Sequence, residues 1–270
     1  MYVAFLMLMG NAAYAPPQNS PEPDAVLCAD GKAAVETAVL ACTRLIESGR
    51  YSESGRVAWL TNRGLHEQRG GHLAEAIKDF DEAVRLRPNY VGLYLARGAT
   101  YGMSEDLDKA IADFDRALEL DPNSGIAYMN RATARNRKGD RTESLSDYDK
   151  AIELIPENWM AWDGRCWVRA IIGKDLDGAL ADCDKASELQ PGAANTMNTR
   201  GFILYRQGRF EEAIASYDAS IARDPNAASS YYMRGLARSK LDQDSSGDLT
   251  KALSMEPGIR ERYAGYGINP

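Results

Sequence analysis

Hydrophobic and polar positions along the chain follow a long period as well as a helical one. From residue 57 onward a bulky apolar or aromatic side chain recurs as Leu60, Tyr94, Tyr128, Trp162, Met197 and Tyr231. A small residue stands one helical turn after each: Gly64, Gly98, Ala132, Cys166, Gly201 and Gly235. The two therefore share a helix face. Further along come Phe80, Phe114, Tyr148, Cys183, Tyr217 and Leu249, and then Pro88, Pro122, Pro156, Pro191, Pro225 and Pro257. The prolines are spaced 34, 34, 35, 34 and 32 residues apart. Proline lacks an N–H and cannot continue a helix, so each one closes a unit. An arginine keeps the same step: Arg63, Arg97, Arg131, Arg165, Arg200 and Arg234. Two independent markers with one period define an internal repeat. The pattern predicts two helices per unit, in six units: 57–90, 91–124, 125–158, 159–193, 194–227 and 228–259.

The small residues let two antiparallel helices approach closely, and the bulky ones fill the space beside that contact. Each helix pair leaves one face apolar, which stacking of the next pair buries. With bulky, small, aromatic and proline positions at 4, 8, 24 and 32 of each unit, the chain resembles the tetratricopeptide repeat family. The resemblance covers roughly residues 57–259. It implies an all-α, right-handed superhelical solenoid of antiparallel helix pairs, about six repeats plus caps. The departures are local. The fourth unit has one extra residue near Gly173–Lys174, the sixth is two residues short around Leu241–Gly247, and Leu249 replaces the aromatic.

The flanks change the picture of where the protein works. Residues 1–15 hold an apolar run, MYVAFLMLMG, too short to span a bilayer, followed by small residues at Ala13 and Ala15. That reads as a secretory signal peptide cut after Ala15, and predicts a periplasmic or secreted protein. No Lys or Arg precedes the apolar run. Residues 16–56 read as a flexible, proline-rich lead-in and a degenerate capping unit, and 260–270 as a closing helix. In that helix Tyr263 and Tyr266 are three apart and are expected to cover the open face of the last pair. Export would let disulfides persist. Cys28 and Cys42 are within reach of each other across the cap. Cys166 and Cys183 both face the interior of the fourth pair, where a bond and two reduced, packed thiols both stay open.

Charge narrows the partners. The net charge is −7, with 32 Lys and Arg against 39 Asp and Glu. That argues against nucleic acid and anionic membrane surfaces. The recurrent arginine is matched by Asp79, Asp113, Asp147, Asp182 and Asp248, and by Asp81, Asp115, Asp149, Asp184 and Asp218. The expected arrangement is a ladder of Arg–Asp contacts between neighbouring pairs; the rival is a basic stripe that binds a carboxylate. No nucleophile elbow, phosphate loop or zinc-helix motif occurs, and the chain has two His. We expect no enzyme activity, no metal, no cofactor and no small-molecule substrate.

In the tetratricopeptide family the first helix of each pair lines a concave groove. Carried onto this sequence, the resemblance implies Leu95, Met129 and Arg137 in the second and third units. In the fourth it implies Met160, Asp163 and Trp167. In the fifth and sixth it implies Asn198, Phe202, Tyr205 and Arg206, then Tyr232 and Lys240. Clustered aromatics beside arginines are the usual composition of binding anchors. Arg69, Arg137, Arg206 and Lys240, at or near position 13, could hold a carboxylate. The function implied is an adaptor or scaffold that takes a polypeptide segment in the groove. The alternative is a self-associating scaffold with no peptide ligand.

Overall fold

Some of the helices begin where a short polar side chain caps them. Asp106, Asn158 and Asp175 accept backbone N–H bonds at the starts of their helices, satisfying donors a helix cannot pair internally. Second helices end just before the recurrent proline, and the next first helix starts two or three residues after it. The computed structural model describes residues 22–268; the expected leader and its cut after Ala15 lie outside them. All regular structure among the described residues is helical, and no helix there is long and apolar enough to cross a membrane.

The chain divides into two units, at Asp140 and Arg141. In the first, α1 (Pro23–Ala29) and α2 (Val35–Glu47) form a leading pair. They are followed by α3 (Glu53–Arg69) with α4 (Leu73–Leu86), then α5 (Val91–Met103) with α6 (Leu107–Leu120), and then α7 (Gly125–Lys138). Each helix packs on the next in order, and each first helix also meets the next first helix. Cys28 sits on α1. The core of the leading pair joins Cys28, Cys42, Leu45, Trp59 and Leu60, all nearly or fully buried.

The second unit holds α8 (Arg141–Leu154), α9 (Trp159–Ile172) with α10 (Leu176–Leu189), and α11 (Ala194–Arg206) with α12 (Phe210–Arg223). It closes with α13 (Ala228–Ser239), α14 (Ser246–Met255) and a short α15 (Ile259–Ala264). The missing residues of the sixth repeat shorten its second helix: α14 has ten residues where α12 has 14. The extra residue of the fourth falls in the turn after α9, where Gly173 takes a left-handed φ of 74°.

Helix pairs are held by the small-to-large contact that the sequence pattern predicts. A Cβ placed on Gly64 would stand 2.9 Å from the Phe80 ring; on Gly98, 2.8 Å from Phe114; on Gly201, 2.6 Å from Tyr217. These distances are below what side-chain carbons tolerate, so glycine sets how closely the helices pack. In α9 and α10 the same two positions are Cys166 and Cys183, bonded as a disulfide with Cα atoms 5.4 Å apart. Cys28 and Cys42 are also bonded, with Cα atoms 4.9 Å apart. Both separations lie inside the range a disulfide spans.

Candidate functional site

The recurrent arginines are the first candidates, and their hydrogen bonds are spent inside the array. Arg97 forks onto Asp113 of its own pair at 2.7 and 2.9 Å and reaches Asp81 of the preceding pair at 2.7 Å. Arg165 does the same with Asp182 and Asp149, and Arg234 with Asp248 and Asp218. Arg131 reaches Asp115 of the preceding pair. The contacts are thus within pairs as well as between them. The pattern runs into the cap, where Arg63 forks onto Asp79 and donates to Thr43 of α2. In the fifth repeat Ser216 stands in place of the forked aspartate and accepts from Arg200. The carboxylate partners raise the Arg97 and Arg234 pKa values further above the ordinary guanidinium range. Side chains bound on two sides in this way are poorly placed to take a ligand's carboxylate.

The expected groove residues fall on the first helices of the two units. In the first unit Leu95 is half-buried and Met129 is buried. Arg137 donates to the Gly102 carbonyl at the end of α5 and pairs with Glu105. Arg69 donates to the Gly31 and Ala33 carbonyls in the turn between α1 and α2.

In the second unit Arg206 donates to the carbonyls of Ala170 and Ile171 at 2.7 and 2.9 Å, closing the free end of α9. A cation at a helix C-terminus satisfies orphan carbonyls and complements the helix dipole. Lys240 is exposed at the end of α13, and Met160 is half-buried. Two further groove positions tie neighbouring first helices together. Asp163 accepts the Thr196 hydroxyl at 2.7 Å, and Asn198 accepts the Ser230 hydroxyl at 3.0 Å. Asp163 keeps some exposed surface, yet burial around its carboxyl pushes its pKa up to about 6, against the pull of the Thr196 hydroxyl.

Trp167, Phe202, Tyr205 and Tyr232 come together in one cluster. They are buried, and the cover is this chain's own closing segment. Tyr263 of α15 packs on Tyr232 at 5.3 Å and on Phe202 at 6.0 Å. Tyr266 meets Trp167 edge-on at 5.4 Å and Phe202 at 6.4 Å. The segment therefore covers the last pair and also reaches back across α11 to α9. Tyr205 instead packs on Phe210 of its own pair at 5.4 Å.

Three family models match the chain. Two, described as tetratricopeptide repeat, match residues 93–124 and 126–158, and one, described as TPR repeat, matches 201–242. The chain is a tetratricopeptide repeat protein. No curated protein matches its sequence. Among solved structures it is similar to a tetratricopeptide repeat protein from Parabacteroides merdae, at 19% identity and TM-score 0.69 over 87% of this chain and 93% of that one. PilW, described as a type IV pilus biogenesis factor, matches at 19% identity and TM-score 0.64, covering 77% and 94%. YrrB, described as having an unusual peptide-binding site, matches at 21% identity and TM-score 0.52, covering 70% and 98%. At these identities the likeness is one of fold, and the fold is that of a protein-interaction scaffold.

Membership places the odd features of this tetratricopeptide repeat protein within a common frame. Cys166 and Cys183 replace the small and aromatic members of the helix contact with a covalent one. Arg137 and Arg206 close the preceding first helix, and Arg69 instead holds the turn between α1 and α2, roles that sequence reasoning missed; the recurrence of the arginine was the available signal. His66 makes its ring contact with the Cys28 carbonyl at 3.0 Å, and burial lowers its pKa and favours the neutral ring. Among the described residues no group of three or more His, Cys, Asp or Glu could hold a metal ion.

Proposed function

We propose that this tetratricopeptide repeat protein is a non-catalytic, extracytoplasmic scaffold that receives a polypeptide segment on the first-helix face of its second unit. One observation carries the reading: that face already holds a polypeptide segment, residues 259–268 of the chain, through ring contacts to Trp167, Phe202 and Tyr232. A surface of aromatic side chains on rigid helices suits the recognition of a short helical segment. The extracytoplasmic placement is supported by two disulfides, bonds that persist in oxidising compartments, and by the apolar leader of the sequence. The PilW-like fold is compatible with it.

A photo-crosslinking residue placed at Asn195 on α11 or at Lys240 just after α13, both exposed, tests the reading in cells. Glu153, exposed on the second helix α8, is the control. Discrete adducts from the first two positions and none from the control are expected. The same pattern from all three would remove the assignment.

A further inference from the structure

An end cap needs to touch only the last helix pair of a stack. The closing segment does more. Tyr263 lies on Tyr232 of α13 and Phe202 of α11, and Tyr266 lies on Trp167 of α9, so two rings span three successive first helices. Trp167 and Phe202 stand at the same position of their repeats, one that family resemblance assigns to the groove. From this geometry we infer that residues 259–268 act as an internal ligand, and that the partner is a segment of the same chemistry that exchanges with them: a short helix running into a turn, with one aromatic in the helix and a second three residues on in the turn, followed by an aliphatic residue two further on. The inference rests on the proposed function and names the partner class and control of that site.

Three observations support exchange over permanent burial. α15 has six residues, too few to be stable as a helix alone, so its order depends on docking. Its link to α14 is short and separate: α14 ends at Met255, and Glu256, Pro257 and Gly258 intervene. Arg262 forks onto Glu256 of that link and donates to Ser229 of α13, so this polar contact and the rings hold the segment to the face. Docking is also imperfectly satisfied. The hydroxyls of Tyr217 and Tyr232 are buried in the covered cluster with no bonded partner. The Tyr263 hydroxyl has Ser229 and Asn198 as its polar neighbours. Unpaired buried polar groups offset part of what apolar burial contributes, which leaves the docked state easier to displace than its area implies. The aliphatic member of the pattern is Ile268, itself buried in the same cluster.

The test uses the full chain and a labelled peptide of residues 259–268 as probe, IRERYAGYGI. In the wild-type chain the internal segment competes, and the apparent affinity falls by the fraction of faces left open. A chain carrying Tyr263→Ala and Tyr266→Ala is expected to bind the peptide about tenfold more tightly than wild type. A peptide with both tyrosines replaced by alanine is expected to bind neither chain. Tyr266→Ala alone, at a half-buried position, guards against a double variant that fails to fold, and is expected to shift affinity in the same direction. Equal peptide affinity in wild type and both folded variants overturns the inference. Wild-type dimers whose dissociation depends on Tyr266 would overturn it in favour of a second copy as occupant. Crosslinks at Asn195 and Lys240 that persist alongside equal affinities would leave the proposed function standing and remove only the exchange. Tighter peptide binding without such crosslinks would do the reverse.

Discussion

At the residue scale, the recurrent arginine works by being bound on two sides at once. Its fork to the aspartate of its own pair fixes the guanidinium plane, and the remaining nitrogen reaches the pair before. Asp113 and Asp182 are almost fully buried, so removing the arginine strands a carboxylate. Arg97→Leu is expected to destabilise the chain by about 3–5 kcal/mol, the cost of breaking a buried ion pair from one side. A companion Asp113→Leu should recover much of that loss, and urea denaturation of the three variants measures both. A different sign applies at Asp163. Its raised pKa means that the native chain keeps a proton over about pH 4–6 that the unfolded chain has lost. Stability is therefore expected to fall as pH rises through that window and to level off above it. Asp163→Asn keeps an acceptor for Thr196 without the charge. It should melt higher than wild type at pH 7 and close to it at pH 4; parallel slopes from pH 4 to 7 would show that the carboxyl is not responsible.

At the element scale, the period was legible because every helix pair repeats the same contact. A small residue facing a large one leaves a trace in sequence because a bulkier side chain there would clash. The same legibility made Cys166 and Cys183 recognisable as the small and large members of that contact, although sequence alone left their bond open. The disulfide closes a separation of 17 residues, for which chain-entropy arguments give about 3 kcal/mol. Cys166→Ala with Cys183→Ala is expected to lose about that much, with an added cavity where the sulfurs packed. Cys166→Gly with Cys183→Phe restores the contact found between Gly98 and Phe114, and should recover a substantial part. Thermal melts under non-reducing conditions separate the three, and equal losses in both double variants would mean that the covalent link alone matters. Other contacts left no such trace. Arg206 meets backbone carbonyls, which have no side-chain signature, and Tyr266 meets Trp167 across 99 residues with no repeated marker to betray it.

At the scale of the whole molecule, stability in a stacked array is a sum of pair stabilities and nearest-neighbour contacts, so a local loss stays local. The leading pair shows where that matters. α1 has seven residues, too short to hold itself, and it is tied down by the Cys28–Cys42 bond, by the fork of Arg44 onto Asp24 and by burial of Cys28 beside Trp59 and Leu60. The ion pair is exposed and contributes little, which leaves the disulfide, the apolar contact and the buried His66 contact to the Cys28 carbonyl. Mild reduction is therefore expected to raise amide exchange in α1 and α2 while α5 and α6, which contain no cysteine and bury Phe114 against Gly98, keep their protection. Exchange followed by mass spectrometry resolves the segments. A uniform rise from α1 through α6 would mean that this unit opens as one cooperative body, and that the cap stabilises every pair behind it rather than only its neighbour.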